Sequence, residues 1–246
     1  MAHLRCDFRS EAMDMNTSMT VILPENTPLG QVPVVYLLHG LADNCTGWSR
    51  YTSVERYARE KNVALVIPEV QRSFYTDMEE GIAYFTFVHE ELPKICRGFF
   101  GFSQAREKNY MMGLSMGGYG TLKCVLRTPE RYAGAAAFSA VADIRGYAMG
   151  RTGGEKRQFQ AIFGPELNIP EDCNPMEMAK KIQPDALPKM YMACGEQDEL
   201  YKANAALAGI LQDRGAPLRF EHWQGIHNWV FWDEAVRRAM DYLLGQ

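Results

Sequence analysis

Along the chain, short apolar runs alternate with stretches in which apolar residues recur at three- to four-residue spacing. Val32-Pro33-Val34-Val35-Tyr36-Leu37-Leu38 is continuously apolar and ends at His39-Gly40, the pattern of a central strand covered on both faces. Val63 to Ile67 ends at Pro68 and Tyr110-Met111-Met112 ends at Gly113, while Gly134 to Phe138, Lys189 to Ala193 and Leu218 to His222 supply further strands. Met19 to Leu23 reads as an early strand that pairs with Leu4 to Arg9 across a polar connection. Helical spacing fills the gaps. Ile82, Phe85, Val88 or His89, Leu92 and Ile95 share one helix face, with Pro93 predicted to kink or split that helix. Trp232, Val236, Ala239, Met240 and Leu243 do the same near the C-terminus. Strands alternating with helices predict an α/β fold, a mostly parallel sheet with right-handed crossovers and helices on both faces. Residues from about 141 to 183 break the rhythm. They are rich in Gly, Pro and mixed charge, and read as an insertion over one sheet edge, where such excursions cover ligand sites.

Composition narrows the classes without changing this picture. A chain of 246 residues suits one α/β domain spanning 1–246, and 47% hydrophobic with 23% charged residues is too apolar for disorder. A net charge of −4 leaves no basic excess to displace phosphate counterions, so no nucleic-acid partner is expected. No run approaches the length of a membrane span, and Met1 to Asp7 lacks the apolar segment of a secretory signal, so a cytoplasmic location with no membrane partner is expected. The six cysteines are scattered without C-x-x-C pairs or zinc-ligand spacing. They are expected to be reduced, mostly buried thiols, with no metal bound.

The chemistry concentrates at Gly113-Leu114-Ser115-Met116-Gly117-Gly118, a G-x-S-x-G sequence between an apolar strand and a helix running from Tyr119 to Leu126. A serine on such a tight turn is held strained with its Oγ exposed, and the glycines admit neighbouring backbone too close for a Cβ. A serine hydroxyl needs a histidine base oriented by a carboxylate, in the order Ser, acid, His for this context. Only His222 and His227 follow Ser115. His222 falls inside a predicted strand, as a packed or edge residue. His227 lies in the glycine-containing loop Gln224 to Trp229, from which an imidazole can reach the serine. For the acid, Asp198 follows the strand before the histidine strand, in Gly195-Glu196-Gln197-Asp198-Glu199. Glu196 and Glu199 are neighbouring alternatives, and Asp143 a further one after the strand nearest the serine. The backbone N–H of Met116 opens a helix and suits a developing oxyanion, with the N–H of Leu41, in Leu38-His39-Gly40-Leu41-Ala42-Asp43, as the second donor. His39 precedes the serine and closes a strand, which suits a structural hydrogen bond.

The set His39-Gly40-Leu41, Arg72-Ser73-Phe74-Tyr75, Gly113 to Gly120, Gly195-Glu196-Gln197-Asp198 and His227-Asn228-Trp229 resembles the esterase D-like branch of the α/β-hydrolases. Within that branch it is most similar to bacterial tributyrin esterases, with feruloyl esterases and S-formylglutathione hydrolases as relatives. The resemblance spans nearly the whole chain and is thinnest across 141–183. It implies the α/β-hydrolase fold, Ser115 as nucleophile, Asp198 as orienting acid, His227 as general base, and the Leu41 and Met116 amides as oxyanion hole. It further implies hydrolysis of small, short-acyl carboxylic esters without metal or organic cofactor. Trp48 and Trp229, close in sequence to Leu41 and His227, are candidates either for the substrate pocket or for the core. Tyr147, Phe159 and Phe163 leave room for an aromatic acyl group, which keeps a feruloyl or acetyl-polysaccharide esterase open, and with it a thioesterase of the S-formylglutathione type. No clear equivalent of a glutathione-recognising surface is present. Acyl transfer to an alcohol other than water, and a catalytically silent binding module, are the remaining alternatives. Exposed aromatics in 141–183 are reasonable material for a homo-oligomer interface.

Overall fold

The computed structural model describes residues 1–245. Within them, strands β1 (Ala2–Ser10), β2 (Met15–Leu23), β3 (Val34–Leu38), β4 (Ala64–Pro68), β5 (Asn109–Leu114), β6 (Gly134–Phe138), β7 (Lys189–Gly195) and β8 (Leu218–Trp223) form one open sheet ordered β1-β2-β4-β3-β5-β6-β7-β8. The first two strands form the expected hairpin, with Leu4 opposite Val21, and β2 joins β4 antiparallel. From β4 to β8 every neighbouring pair is parallel. Each strand predicted from the apolar runs is present: β3 is two residues shorter than its run, β4 is shifted by one, β6 matches, and the others extend by one to several residues.

The connections are helical: α1 (Gly47–Tyr51), α2 (Val54–Lys61), α3 (Tyr84–Thr86), α4 (Leu92–Phe100), α5 (Met116–Arg127), α6 (Ile144–Met149), α7 (Gly153–Phe163), α8 (Pro175–Lys181), α9 (Tyr201–Asp213) and α10 (Trp229–Leu244). Strand β3 is buried on both sides, and its residues divide by the two-residue period of a strand. Val34, Tyr36 and Leu38 pack with Met116, Tyr119 and Cys124 of α5. Val35 and Leu37 pack with Val54 and Ala58 of α2 and with Val236 and Met240 of α10. A third cluster joins Leu122 and Leu126 of α5 to Leu207 and Leu211 of α9 over β7. Helices therefore clothe both faces, and each large side chain so buried contributes about 1.5–3 kcal/mol of transfer free energy.

The stretch around Pro93 is divided, as expected: Pro93 stands in the first turn of α4, and the preceding turn Phe87–Glu91 between α3 and α4 is π-helical, with the Leu92 N–H donating to the Phe87 carbonyl. The His89 carbonyl, which Pro93 cannot serve, accepts from Arg131 Nη1 at 2.9 Å, so the missing donor is replaced from another element. Residues 141–183 fold as α6, α7 and α8: Tyr147 of α6 lines a cleft beside Ser115, whereas Phe159 and Phe163 are buried and Met178 of α8 packs with the cluster between α5 and α9. All six cysteines are free thiols, five of them buried. Among the described residues no helix is long and apolar enough to cross a membrane.

Candidate active site

Ser115 stands between β5 and α5 at φ +52° and ψ −114°, a conformation that few side chains tolerate. Surrounding backbone holds it there. Its N–H donates to the Phe138 carbonyl at 2.8 Å, and its carbonyl accepts from Tyr119 at 3.0 Å and Val141 at 3.3 Å. Close approach explains the flanking glycines. A Cβ on Gly113 would lie 2.4 Å from the Gly117 carbonyl oxygen, and one on Gly117 would lie 2.3 Å from that of Leu38. The turn thus presses the end of β3 against the start of α5.

His227 reaches Ser115 from the loop after β8, with Nε2 at 3.0 Å from Oγ, and its Nδ1 lies 2.8 Å from Asp198 Oδ2. The Asp198 side chain is fully buried and also accepts from the Leu200 N–H at 2.9 Å. Burial pushes the Asp198 carboxyl up, but the hydrogen bonds from His227 and the Leu200 amide outweigh it and leave its pKa below the usual carboxylate value. An ionised carboxylate only accepts, so Nδ1 carries the imidazole proton and Nε2 is free to take one from Ser115. The loops bearing acid and histidine are tied together: Gln197 N–H donates to the Gly225 carbonyl at 3.0 Å, and Gly225 N–H donates back to Gln197 Oε1 at 2.7 Å. Asn228 fixes the other side of the histidine loop by accepting from the Phe231 N–H at the start of α10.

The competing residues are engaged elsewhere. His222 is exposed and pairs with Glu196 at 2.9 Å. Asp143 caps α6 by accepting from the Gly146 N–H. His39 is fully buried, and burial holds its imidazole pKa below the ordinary value. Glu199 is exposed at the cleft rim, 3.9 Å from Arg151.

Ser115 and His227 open into a cleft of about 640 Å³ walled by Gly40, Leu41, Leu114, Tyr51, Tyr147, Trp229 and Trp232, with Asp43 and Glu199 its acidic members. Leu41 lines the cleft beside Ser115, and Met116 follows Ser115 as the first residue of α5. Among the described residues neither amide hydrogen has a protein acceptor. Of the two tryptophan candidates, Trp229 lines this cleft. Trp48 does not: it is fully buried behind Trp229, ring centroids 5.4 Å apart, and its Nε1–H donates to the Leu38 carbonyl at 3.0 Å. It supports the wall rather than forming it. Tyr51, Trp232 and Gln197 were not singled out in the sequence. Trp232 lies on the apolar stripe of α10 and reads there as core, yet its ring also packs edge-on against His227, centroids 4.9 Å apart.

A parallel sheet ordered in this way, with a strained serine after β5, an acid after β7 and a histidine after β8, defines an α/β-hydrolase. The chain belongs to the putative esterase family, whose model matches residues 10–243, and it is a serine carboxylic ester hydrolase. An acetyl esterase of Caldicellulosiruptor saccharolyticus is 31% identical, covering 99% of this chain and 98% of that protein. Among solved structures, the fluorophosphonate-binding serine hydrolase FphF of Staphylococcus aureus superposes with a TM-score of 0.91 at 30% identity, covering 100% of this chain and 99% of its own. The S-formylglutathione hydrolase FrmB of Staphylococcus aureus gives 0.88 at 31% identity, covering 99% of each chain.

Proposed function

We propose that this enzyme hydrolyses small, short-acyl carboxylic esters through a covalent acyl-serine, with Ser115 as nucleophile, His227 as general base and Asp198 as the acid that orients it. The observation that carries this reading is the continuous relay from Asp198 to His227 to Ser115, at 2.8 and 3.0 Å, at the floor of the cleft. His227 Nε2 takes the Ser115 proton as Oγ attacks the ester carbonyl. The tetrahedral oxyanion is met by the amides of Leu41 and Met116, each worth about 2.7–4 kcal/mol of barrier if it behaves like other such donors. The imidazolium, stabilised by Asp198, protonates the departing alcohol; water then attacks the acyl-serine by the same proton route in reverse.

The acetyl esterase relative supports a short acyl group. The acidic members of the cleft, Asp43 and Glu199, with no lysine or arginine among its lining residues, favour a neutral leaving group over one with carboxylates such as glutathione. The aromatic-acyl alternative has less support, since Phe159 is buried against Phe74, centroids 4.8 Å apart, and Phe163 is buried too. Steady-state rates on p-nitrophenyl esters from acetate to decanoate, with methyl ferulate and S-formylglutathione alongside, test the proposal. The expected profile peaks at the shortest acyl chains and disappears in Ser115→Ala. A preference for ferulate or S-formylglutathione overturns the substrate assignment, and undiminished turnover by a folded Ser115→Ala overturns the mechanism.

A further inference from the structure

The buried polar residues around β3 do not touch the cleft, yet they converge on one peptide group. His39 is fully buried, and its Nδ1–H donates to the Gly40 carbonyl at 2.8 Å. That carbonyl and the Leu41 N–H belong to the same planar peptide unit, so a bond that fixes one fixes the direction of the other. The far nitrogen, Nε2, accepts from the Val70 N–H at 3.2 Å, which sets the tautomer with the proton on Nδ1. The His39 backbone is gripped as well, its carbonyl accepting from the Tyr75 hydroxyl at 2.9 Å. Tyr75 belongs to a strap after β4 in which Gln71, Phe74 and Tyr75 all adopt positive φ. Lys123, buried inside α5, anchors that strap by donating to the Thr76 hydroxyl at 2.9 Å and the Tyr75 carbonyl at 3.3 Å. Strained backbone of this kind persists only where its surroundings over-determine it.

We infer that His39, clamped between the Val70 amide and the Tyr75 hydroxyl, is a positioning residue that aims the Leu41 N–H at the substrate oxyanion. The inference rests on Ser115 acyl chemistry but concerns a residue that never meets substrate. The same clamp ties the two donors to one another, because the strap is bound to α5 through Lys123 and α5 begins with Met116. A hydrogen bond that orients an oxyanion donor acts in the transition state and hardly at all in ground-state binding, so its loss lowers kcat and leaves KM in place.

Two substitutions separate this role from a structural one. His39→Asn keeps a donor near the Nδ1 position, whereas His39→Gln keeps a group only near the Nε2 position. On p-nitrophenyl acetate, His39→Gln is expected to lose about 10- to 100-fold in kcat with KM little changed, and His39→Asn to recover most of that rate. Thermal unfolding of both variants is followed alongside. Equal kcat for His39→Gln and wild type overturns the inference, as does equal loss in both variants with equally lowered unfolding temperatures. Should His39→Gln not fold, Tyr75→Phe decides: a several-fold fall in kcat at constant KM supports the clamp, and unchanged kcat overturns it. Failure of the Ser115 mechanism itself is read separately, from retained activity in Ser115→Ala.

Discussion

Replacing Gly117 by alanine adds one methyl group two residues beyond the nucleophile. That methyl would sit 2.3 Å from the Leu38 carbonyl oxygen and 2.7 Å from that of His39. Carbon–oxygen contacts normally begin near 3.3 Å, so the two backbones must part by about 1 Å. Both obstacles are main chain, and neither can swing aside. One side of the gap carries Ser115 and the Met116 amide; the other leads into Gly40 and the Leu41 amide. Parting them stretches the 3.0 Å contact between Ser115 and His227 and separates the two oxyanion donors. A displacement of this size costs about 100-fold in rate, or about 2.7 kcal/mol of barrier. The effect on folding is smaller. Overpacking costs about 1–3 kcal/mol, offset by about 1 kcal/mol from the better helix propensity of alanine. Gly117→Ala is therefore expected to fold with a modestly lowered urea midpoint and to lose most of its kcat on p-nitrophenyl acetate. A variant that keeps kcat within about threefold of wild type would refute the reasoning, because it would show that the contact can relax without disturbing the serine.

Other perturbations follow from the same geometry. Asp198→Asn is expected to lower kcat by about 10⁴-fold by imposing the wrong imidazole tautomer, measured by steady-state hydrolysis at neutral pH. The Asp198 carboxyl titrates below its unfolded value of about 3.9, so its stabilisation is complete above that pH and fades as pH falls through the lower folded value. Urea midpoints of wild type and Asp198→Asn should accordingly differ at pH 7 and converge in acid. Trp48→Ala is expected to destabilise the fold by about 3–5 kcal/mol in urea unfolding, while Trp229→Ala acts mainly on KM for the longer acyl chains. Burial pushes the Cys124 and Cys194 thiols up to about 12, so iodoacetamide at pH 8 should leave esterase activity intact.

How far the sequence discloses this molecule depends on whether a residue acts locally or across the chain. The strands were legible because β3 to β7 are apolar along nearly their whole length, and the α10 stripe at Trp232, Val236, Ala239, Met240 and Leu243 matches the buried face. Ser115, Asp198 and His227 could be singled out because each lies beside a strand end in a glycine-marked turn, and the structure brings all three together. Residues whose partner is remote were not legible in this way. Pro93 reads as a helix breaker, but nothing beside it in sequence shows that Arg131 serves the carbonyl it strands. Trp48 and Trp229 look alike in sequence, and only the packing of one behind the other separates core from cleft wall. Lys123 carries a charge into a buried helix with no local sign that Thr76 and Tyr75 await it. The same holds for Gln197, an exposed-looking turn residue whose two bonds to Gly225 join the acid loop to the histidine loop.

The central claim is that Ser115 Oγ carries the acyl group. Acid quenching of the enzyme during turnover of p-nitrophenyl acetate, followed by intact mass and peptide mapping, tests it most directly. The account predicts a single added acetyl group on the peptide containing Ser115, absent in Ser115→Ala. Acetyl found on another residue, or full hydrolysis by Ser115→Ala, would contradict it.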